Sequence, residues 1–230
     1  MCNLYRMSKS QDEVAHFFDA IAQDLSVSPG GNAPELIYPG YPGMVLADAR
    51  LAQMTWGFPL NRKGAKGQPL KPKPINNART DKLSSPFWAA SFKARRCLIP
   101  ISDFAEAEGP KGGKTRTWFS LPDNEPMAVA GCWRDSAEWG EAYTMVMTDA
   151  CIHVRGVHDR MPVIVPPQDW DQWLRGTPDD AFQLCKSYDG PMQVTRTHEP
   201  WAGRQEGFCR SAGGAVLRGR RSRETWLGTI

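Results

Sequence analysis

Residues 96–101, Arg-Cys-Leu-Ile-Pro-Ile, form a continuous, largely apolar run that is typical of a strand buried in a sheet. Further short strands are predicted where apolar residues lie between turn-forming pairs such as Asp123-Asn124 and Trp139-Gly140. These predicted strands cover residues 44–49, 52–58, 115–120, 127–133, 142–147 and 192–195. Many short strands joined by turns favour an antiparallel sheet that closes, or nearly closes, on itself.

The helices are predicted to be few and short. Ser10-Gln11-Asp12-Glu13 is a capping box, and the apolar residues after it recur at helical spacing, which predicts a helix over residues 11–25. Shorter helices are predicted over residues 84–92, 167–175 and 178–184. The segments 28–43 and 62–73 are rich in proline and glycine, so both are predicted loops, the second of them strongly basic.

The predicted fold class is therefore α+β. A single domain over residues 1–202 is expected to hold a mostly antiparallel, barrel-like sheet flanked by short helices. Residues 203–230 are rich in arginine and glycine with little periodic apolar pattern, so they are predicted to form a basic, partly disordered tail.

Composition excludes several classes of protein. No run approaches 18 apolar residues, which argues against a membrane span. The N-terminal stretch lacks the apolar core of a secretory signal, so we expect a cytoplasmic protein, placed at the nucleoid if it acts on DNA. The 6 cysteines form no C-x-x-C pair and the 4 histidines complete no ligand set, so no metal site and no cofactor are predicted.

Positive charge is concentrated in one part of the chain. Between Arg62 and Arg96 there are ten basic residues and a single acid, Asp81, and the aromatic side chains of Trp56, Phe58, Phe87 and Trp88 flank or interrupt the run. Cations for a phosphate backbone beside flat rings for unstacked bases are typical of a groove that binds single-stranded nucleic acid. A solvated basic loop is the alternative interpretation.

Met1-Cys2 could create an unusual nucleophile. If Met1 is removed, Cys2 carries a free α-amine and a thiol on neighbouring carbons. With a reference pKa near 7.7–8.0, roughly a tenth to a fifth of such an amine is neutral at pH 7. A neutral amine condenses with an aldehyde to an imine, and the thiol can then close a five-membered thiazolidine. The alternative is that cysteine stands at this position by chance.

Three polar clusters could supply the proton transfers that imine chemistry needs. They are centred on Asn77, Glu106 and His158, and each is predicted to lie where a loop meets a strand. Glu106 could accept a proton from the amine, and His158 could give or take protons near pH 7. The amide of Asn77 could donate a hydrogen bond to an aldehyde or hydroxyl oxygen. A turn residue, a solvated carboxylate and a capping histidine are the alternatives.

Together these features resemble the SRAP (SOS-response-associated peptidase) family of abasic-site processing proteins. The resemblance covers about residues 1–200, and its short motifs occur in family order. They are Met1-Cys2, Trp56-Gly57-Phe58-Pro59, Asn77-Ala78-Arg79, Arg96-Cys97-Leu98-Ile99-Pro100, Phe104-x-Glu106, Ala130-Gly131-x-Trp133, Thr148 and His158-Asp159-Arg160-Met161-Pro162.

The resemblance implies catalytic roles for four residues. Cys2 would attack the ring-opened aldehyde of an abasic site in single-stranded DNA and form a stable thiazolidine crosslink that protects the damaged strand. Asn77 would orient the sugar, Glu106 would take part in proton transfer and ring opening, and His158 would act as acid and base. The family resemblance also implies that the chain removes its own Met1 and cleaves strands as a lyase through the imine.

The resemblance further implies a DNA-binding surface and a single copy of the chain acting on abasic, single-stranded DNA. Its DNA-binding residues are expected to be Trp56, Gly57, Arg79, Thr148 and Arg160. Two other functions stay open from the sequence. A terminal cysteine also serves the amidohydrolases with an N-terminal nucleophile, and the basic, aromatic stretch would equally suit a non-covalent module that binds single-stranded nucleic acid.

Overall fold

The structure is a computed structural model that describes residues 2–19, 21, 25–28 and 31–201. Met1, whose removal the sequence analysis predicts, lies outside the described residues, as does the predicted tail over residues 203–230.

Strands dominate the described part of the chain. In chain order they are β1 (Tyr5–Arg6), β2 (Ser26–Val27), β3 (Leu36–Ile37), β4 (Pro42–Ala47), β5 (Arg50–Trp56), β6 (Phe58–Lys63), β7 (Pro69–Ile75), β8 (Asn77–Arg79), β9 (Arg96–Ile101), β10 (Asp103–Glu108), β11 (Thr115–Ser120), β12 (Met127–Ser136), β13 (Gly140–Asp149), β14 (Arg160–Pro162) and β15 (Gln193–Pro200). The α-helices are α1 (Gln11–Phe17), α2 (Ala89–Ala94), α3 (Trp170–Arg175) and α4 (Pro178–Gln183), and single turns of 3-10 helix cover Thr80–Lys82, Pro122–Asn124 and Pro167–Asp169.

Five strands close into a barrel. The antiparallel order β13, β12, β9, β4, β5 returns to its start because β5 also pairs with β13, in parallel, with Trp56 opposite Tyr143. A closed ring leaves no open edge, so every strand in it has a hydrogen-bonded neighbour on both sides. The predicted fold class, α+β with a mostly antiparallel, barrel-like sheet and short helices, is confirmed.

A second sheet carries the N-terminus to the barrel. Its order is β15, β11, β10, β1, β3, and only Ser102 separates β10 from the barrel strand β9. Tyr5 lies opposite Phe104, and the N–H of Ala105 donates to the carbonyl of Leu4 at 3.0 Å. Because β1 pairs with β10 in this register, the first residues of the chain lie beside the middle of β10.

Packing between the sheet and the barrel fixes that arrangement. The hydroxyls of Tyr5 and Tyr143 are hydrogen-bonded to each other, and the ring of Tyr5 meets Trp56 edge to face at a centroid distance of 5.0 Å. All three side chains are fully buried, and burying a large apolar side chain stabilises a fold by about 1.5–3 kcal/mol. Gly43 lies against both hydroxyls, and a side chain there would overlap them.

Helix α1 is shorter than its sequence pattern predicts. The capping box is present, with Ser10 accepting from the N–H of Glu13, but the helix ends at Phe17 and the prediction over residues 18–25 is wrong where the chain is described. Phe17 and Phe18 both pack against Trp170, with centroids 5.1 and 5.0 Å from it. The helix therefore ends where two neighbouring aromatic rings pack against the same tryptophan.

Two further predictions need correction. The segment 62–73 is largely the exposed antiparallel hairpin of β6 and β7, because its leucines and lysines pair across strands that proline tolerates at a sheet edge. The predicted helix over residues 84–92 is displaced to α2.

Among the helices that the structure describes, none is both long and apolar enough to cross a bilayer.

Candidate active site around Cys2

Two neighbouring asparagines hold the backbone of Cys2. The side-chain amide of Asn77 donates to the Cys2 carbonyl oxygen at 2.6 Å, and that of Asn76 donates to the same oxygen at 2.9 Å. Asn76 also reaches the side-chain oxygen of Asn3 at 3.2 Å. A protein hydrogen bond contributes about 1 kcal/mol net, so the paired amides fix the position of the residue that would become the terminus.

The asparagines are positioned by the barrel. Asn77 starts β8, which pairs in parallel with β13 and places Asn77 opposite Met145. The backbone carbonyl of Asn76 accepts from the N–H of Met145 at 3.0 Å and from the indole N–H of Trp56 at 3.1 Å. The Oδ1 atom of Asn77 is buried and has no hydrogen-bond partner among the described residues. It is therefore an acceptor available to a donor on a bound molecule.

The thiol of Cys2 is enclosed. Cys2 has no exposed surface, and its Sγ donates to the carbonyl oxygen of Leu4 at 3.5 Å. Burial is the main cause that raises the pKa of the Cys2 thiol, and the charge of Glu106 raises it further. The thiol is thus protonated in this environment. Because the charge of Glu106 acts on the pKa of the thiol, the carboxylate belongs to the same site as Cys2.

Glu106 lies within β10, opposite Thr117 of β11, and not at the junction of a loop and a strand that the sequence predicts. Its side chain points into the protein, where only 3% of the residue is exposed. Burial raises the pKa of Glu106 to about 7, the charge of Asp159 adds to the rise, and Lys114 opposes it. The carboxyl group can therefore both take and give a proton near neutral pH.

His158 completes the acid and base groups of the site. The backbone N–H and carbonyl of Arg160 lie 2.9 and 3.2 Å from its Nδ1, so the backbone of Arg160 orients the imidazole ring. Burial lowers the pKa of His158, although Asp159 acts in the opposite direction. The charges of Asp159 and Lys114 act on both His158 and Glu106, so the two groups share one electrostatic environment.

Comparison with known proteins decides the family. Residues 1–199 match the family model described as SOS response associated peptidase (SRAP). The chain belongs to the SRAP family.

Relatives of this SRAP chain include two proteins of Bacillus subtilis (strain 168). The abasic site processing protein YoqW is 28% identical over 208 residues, which cover 82% of this chain and 88% of YoqW. The abasic site processing protein YoaM is 24% identical over 208 residues, covering 82% and 87%. A solved Bordetella bronchiseptica protein shares the fold with a TM-score of 0.70 at 22% identity, over 85% of this chain and 99% of the other.

The predicted DNA-binding arginines lie at the ends of short strands that pair with β13 in this SRAP chain. Arg79 ends β8 and forms an ion pair with Asp81 at 2.8 Å, with its side chain 44% exposed. Arg160 starts β14 opposite Asp149 and forms an ion pair with it at 2.8 Å. Each guanidinium is therefore held by one exposed carboxylate, and both arginines lie on strands that pair with the end of β13 at Met147.

The other predicted DNA-binding residues lie deeper. Trp56 is fully buried, and Thr148 is nearly so, with its hydroxyl donating to the carbonyl of Cys185 at 3.3 Å. Gly57 has φ of +116°, and a Cβ there would stand 2.5 Å from the Cβ of Pro74. Its N–H donates to the carbonyl of Tyr143 at 2.7 Å. Contact of these three residues with DNA stays a prediction.

Asn76 is a site residue that the sequence motifs did not indicate, although it directly precedes Asn77. The adjacent pair of asparagines is the signal that could have indicated it. Successive side chains within a strand point to opposite faces, so two adjacent amides can reach one carbonyl only if the first lies just before the strand. The structure places Asn76 there, between β7 and β8.

Proposed function

We propose that this SRAP chain processes abasic sites in single-stranded DNA by forming a thiazolidine crosslink through Cys2 once Met1 has been removed. The names of YoqW and YoaM support the class of lesion. The observation that carries the chemistry is the contact of Asn77 with the Cys2 carbonyl at 2.6 Å, with the other amide atom of Asn77 buried and unpaired. Asn77 can thus hold the nucleophile and a sugar hydroxyl at once.

The proposed reaction needs no oxidant, reductant or metal. The neutral α-amine of Cys2 adds to the aldehyde carbon of the ring-opened sugar to give a carbinolamine, which loses water to form an imine. The S–H bond of Cys2 then adds across the C=N bond, so that sulfur bonds to carbon and the hydrogen ends on nitrogen. The products are one thiazolidine and one water.

Glu106 and His158 are proposed to move the protons. With a pKa of about 7, Glu106 can take a proton from the Cys2 ammonium group and deliver it to the departing hydroxyl. The lowered pKa of His158 keeps its ring neutral at pH 7, so the ring could take a proton from, or give one to, the sugar oxygen. The amide of Asn76 acts through Cys2, as a positioning residue, by holding the carbonyl from a second side.

The DNA strand is proposed to follow the arginines beside β13. Arg79 and Arg160 would exchange their aspartate partners for phosphates of the strand, because both pairs are partly exposed and such pairs contribute little to stability. Trp56, Gly57 and Thr148 would shape the channel beneath it. We further propose that the chain acts as a monomer, in the cytoplasm at the nucleoid.

Two accompanying activities belong to the same proposal. Removal of Met1 by the chain itself would expose the α-amine, and Glu106 and His158 would assist hydrolysis of the peptide bond between Met1 and Cys2. Lyase activity would follow from the imine, which draws electrons from the sugar so that a base can remove a proton at C2′ while the 3′ phosphate departs. Intact mass of the purified protein tests the first, because self-processing predicts that Glu106→Gln retains Met1.

The proposal is tested by incubating the protein with single-stranded DNA that contains one abasic site and separating the products under denaturing conditions. A heat-stable protein–DNA adduct is expected, and it should be lost with Cys2→Ala. A tetrahydrofuran analogue of the site, which has no aldehyde, should give no adduct. Absence of any adduct, with binding retained, would favour a non-covalent module; release of ammonia from amides would favour an amidohydrolase.

A further inference from the structure

The hairpin of β6 and β7 carries a concentration of unpaired positive charge. Its exposed cations are Arg62, Lys63, Lys66, Lys71 and Lys73. No acidic residue occurs in the sequence between Asp48 and Asp81. In the part of the chain that the structure describes, none of these five cations forms an ion pair, whereas Arg79 and Arg160 each have one. The hairpin therefore presents a positive surface whose five cations have no ion-pair partner among the described residues, although the carboxylate of Glu138 accepts from Asn61 of β6 at 2.7 Å.

Apolar side chains alternate with these cations on the same hairpin. Leu60 and Leu70 are each 40% exposed. Leu60 lies opposite Lys73, and Leu70 lies opposite Arg62, so each exposed leucine is paired across the strands with a cation. A surface of this kind offers charge to phosphates and apolar contact to sugars and base faces.

The root of the hairpin is rigid and adjoins the site. Phe58 is fully buried, with the guanidinium of Arg134 4.1 Å from its ring centroid. At the other strand, Pro74 packs against Gly57. The chain enters the hairpin directly after Gly57 and leaves it directly before Asn76, which binds Cys2. The arm is thus fixed to the two segments that frame the nucleophile.

We propose that this hairpin is a binding arm for the undamaged single strand that flanks the lesion, with its lysines contacting phosphates irrespective of base sequence. The inference rests on the proposed function for its choice of DNA as the partner. It does not depend on the aldehyde chemistry, because phosphates are present whether or not a base has been lost. Charge complementarity selects a polyanion, and the leucine and cation pairs suit an unpaired strand.

The test measures non-covalent binding of the full chain, carrying Cys2→Ala, to a 20-nucleotide oligothymidylate without a lesion, across a range of NaCl concentrations. A second protein adds glutamine at Lys63, Lys66, Lys71 and Lys73. The control instead places glutamine at four cations outside the hairpin and outside the basic run Arg62–Arg96, namely Lys9, Lys111, Arg175 and Lys186. Both variants change the formal net charge from +3 to −1, since each removes four positive charges. Unchanged thermal melting of both verifies that they fold.

Each phosphate contact contributes about 0.7 to the slope of log affinity against log salt for a single strand, so the hairpin variant should lose up to about 2.8 of that slope. The control should bind far more like the parent. Equal slopes for parent and hairpin variant, or an equal loss in the control, would overturn the proposal. Because the DNA has no aldehyde, these outcomes are separate from the crosslinking test: a normal crosslink with an unchanged slope rejects the arm alone.

Discussion

The site around Cys2 and the β6–β7 hairpin place charge in opposite surroundings. Glu106 is buried, and its pKa rises to about 7 because an ionised carboxylate is poorly solvated there. The hairpin lysines are exposed and unpaired. Proton transfer near neutral pH needs a perturbed pKa, which burial supplies. Phosphate binding needs full, accessible charge, which solvent preserves. The buried site is suited to proton transfer, and the hairpin is suited to binding a polyanion. The hairpin begins directly after Gly57 and ends directly before Asn76, so these two residues connect the two regions.

The largest effect is expected where burial tunes chemistry. Glu106→Gln removes proton transfer, so the crosslinking rate at saturating abasic DNA should fall by about a hundredfold or more. Quench-and-denature time courses measure the rate. Glu108→Gln is the matched control, because it lies two residues away on the same strand but is paired with Arg196 at 3.0 Å. A larger loss of crosslinking rate from Glu108→Gln than from Glu106→Gln would contradict the assignment of proton transfer to the buried carboxylate.

The ionised carboxylate of Glu106 should lower the free energy of unfolding. Its folded-state pKa of about 7 exceeds the ordinary value of 4.5, so the folded state binds the proton more tightly and stability falls as pH rises from about 4.5 to 7. Glu106→Gln should therefore be more stable than the parent by about 2–3 kcal/mol at pH 8 and nearly equal to it at pH 4.

Urea unfolding at the two pH values measures this difference. Glu108 provides the opposite sign, since hydrogen bonds from Thr117 and Arg196 lower its pKa. Glu108→Gln should lose a little stability, less than about 1 kcal/mol, at pH 8. A Glu106→Gln protein that is less stable than the parent at pH 8 would contradict the burial argument.

The junction of the two regions can be probed through glycine. Gly57→Ala forces a side chain into a φ of +116° and against Pro74, so the protein should lose about 2 kcal/mol of stability. Gly67→Ala, at the hairpin turn, has a φ of +79° with open space around it and should lose about 1 kcal/mol. Thermal unfolding compares the two, and an equal or reversed ranking would show that the root is not rigid.

The smallest effect tests positioning. Asn76→Ala leaves Asn77 to hold the Cys2 carbonyl alone, so the maximal crosslinking rate should fall by about tenfold, equivalent to about 1.4 kcal/mol. The abasic DNA concentration that gives half the maximal rate should not change, because the role proposed for Asn76 is to hold Cys2. Asn32→Ala, which removes an exposed hydrogen bond from the N–H of Gln11, is the control. A change in the half-maximal concentration alone would give Asn76 a DNA-binding role instead.

The sequence predicts best the strands that are continuously or largely buried. The apolar run over residues 96–101 coincides with β9, and residues 115–120 coincide with β11, because buried strands leave a compositional record. The hairpin was missed because proline and glycine favour loops and its strands are largely exposed, so no run of buried apolar residues marks them. The end of α1 was missed because the apolar pattern continues past Phe17, while in the structure Phe17 and Phe18 pack against Trp170, which is far away in sequence.

The site divides in the same way. Asn77, Glu106 and His158 could be named from residue type and motif, but their environments could not. That Glu106 lies within a strand, and that burial changes its pKa, depends on the pairing of β10 with β1 and β11. The role of Asn76 depends on a contact across 74 residues of sequence with Cys2.

The central claim is that the amine and thiol of Cys2 act together, and comparison of Cys2→Ser with the parent tests it most directly. Both proteins, with Met1 removal verified by intact mass, are incubated with abasic single-stranded DNA and heated before denaturing separation. The parent should give a heat-stable adduct. Cys2→Ser should give an imine that survives only after reduction with borohydride. An equally heat-stable adduct from Cys2→Ser without reduction would contradict the thiazolidine.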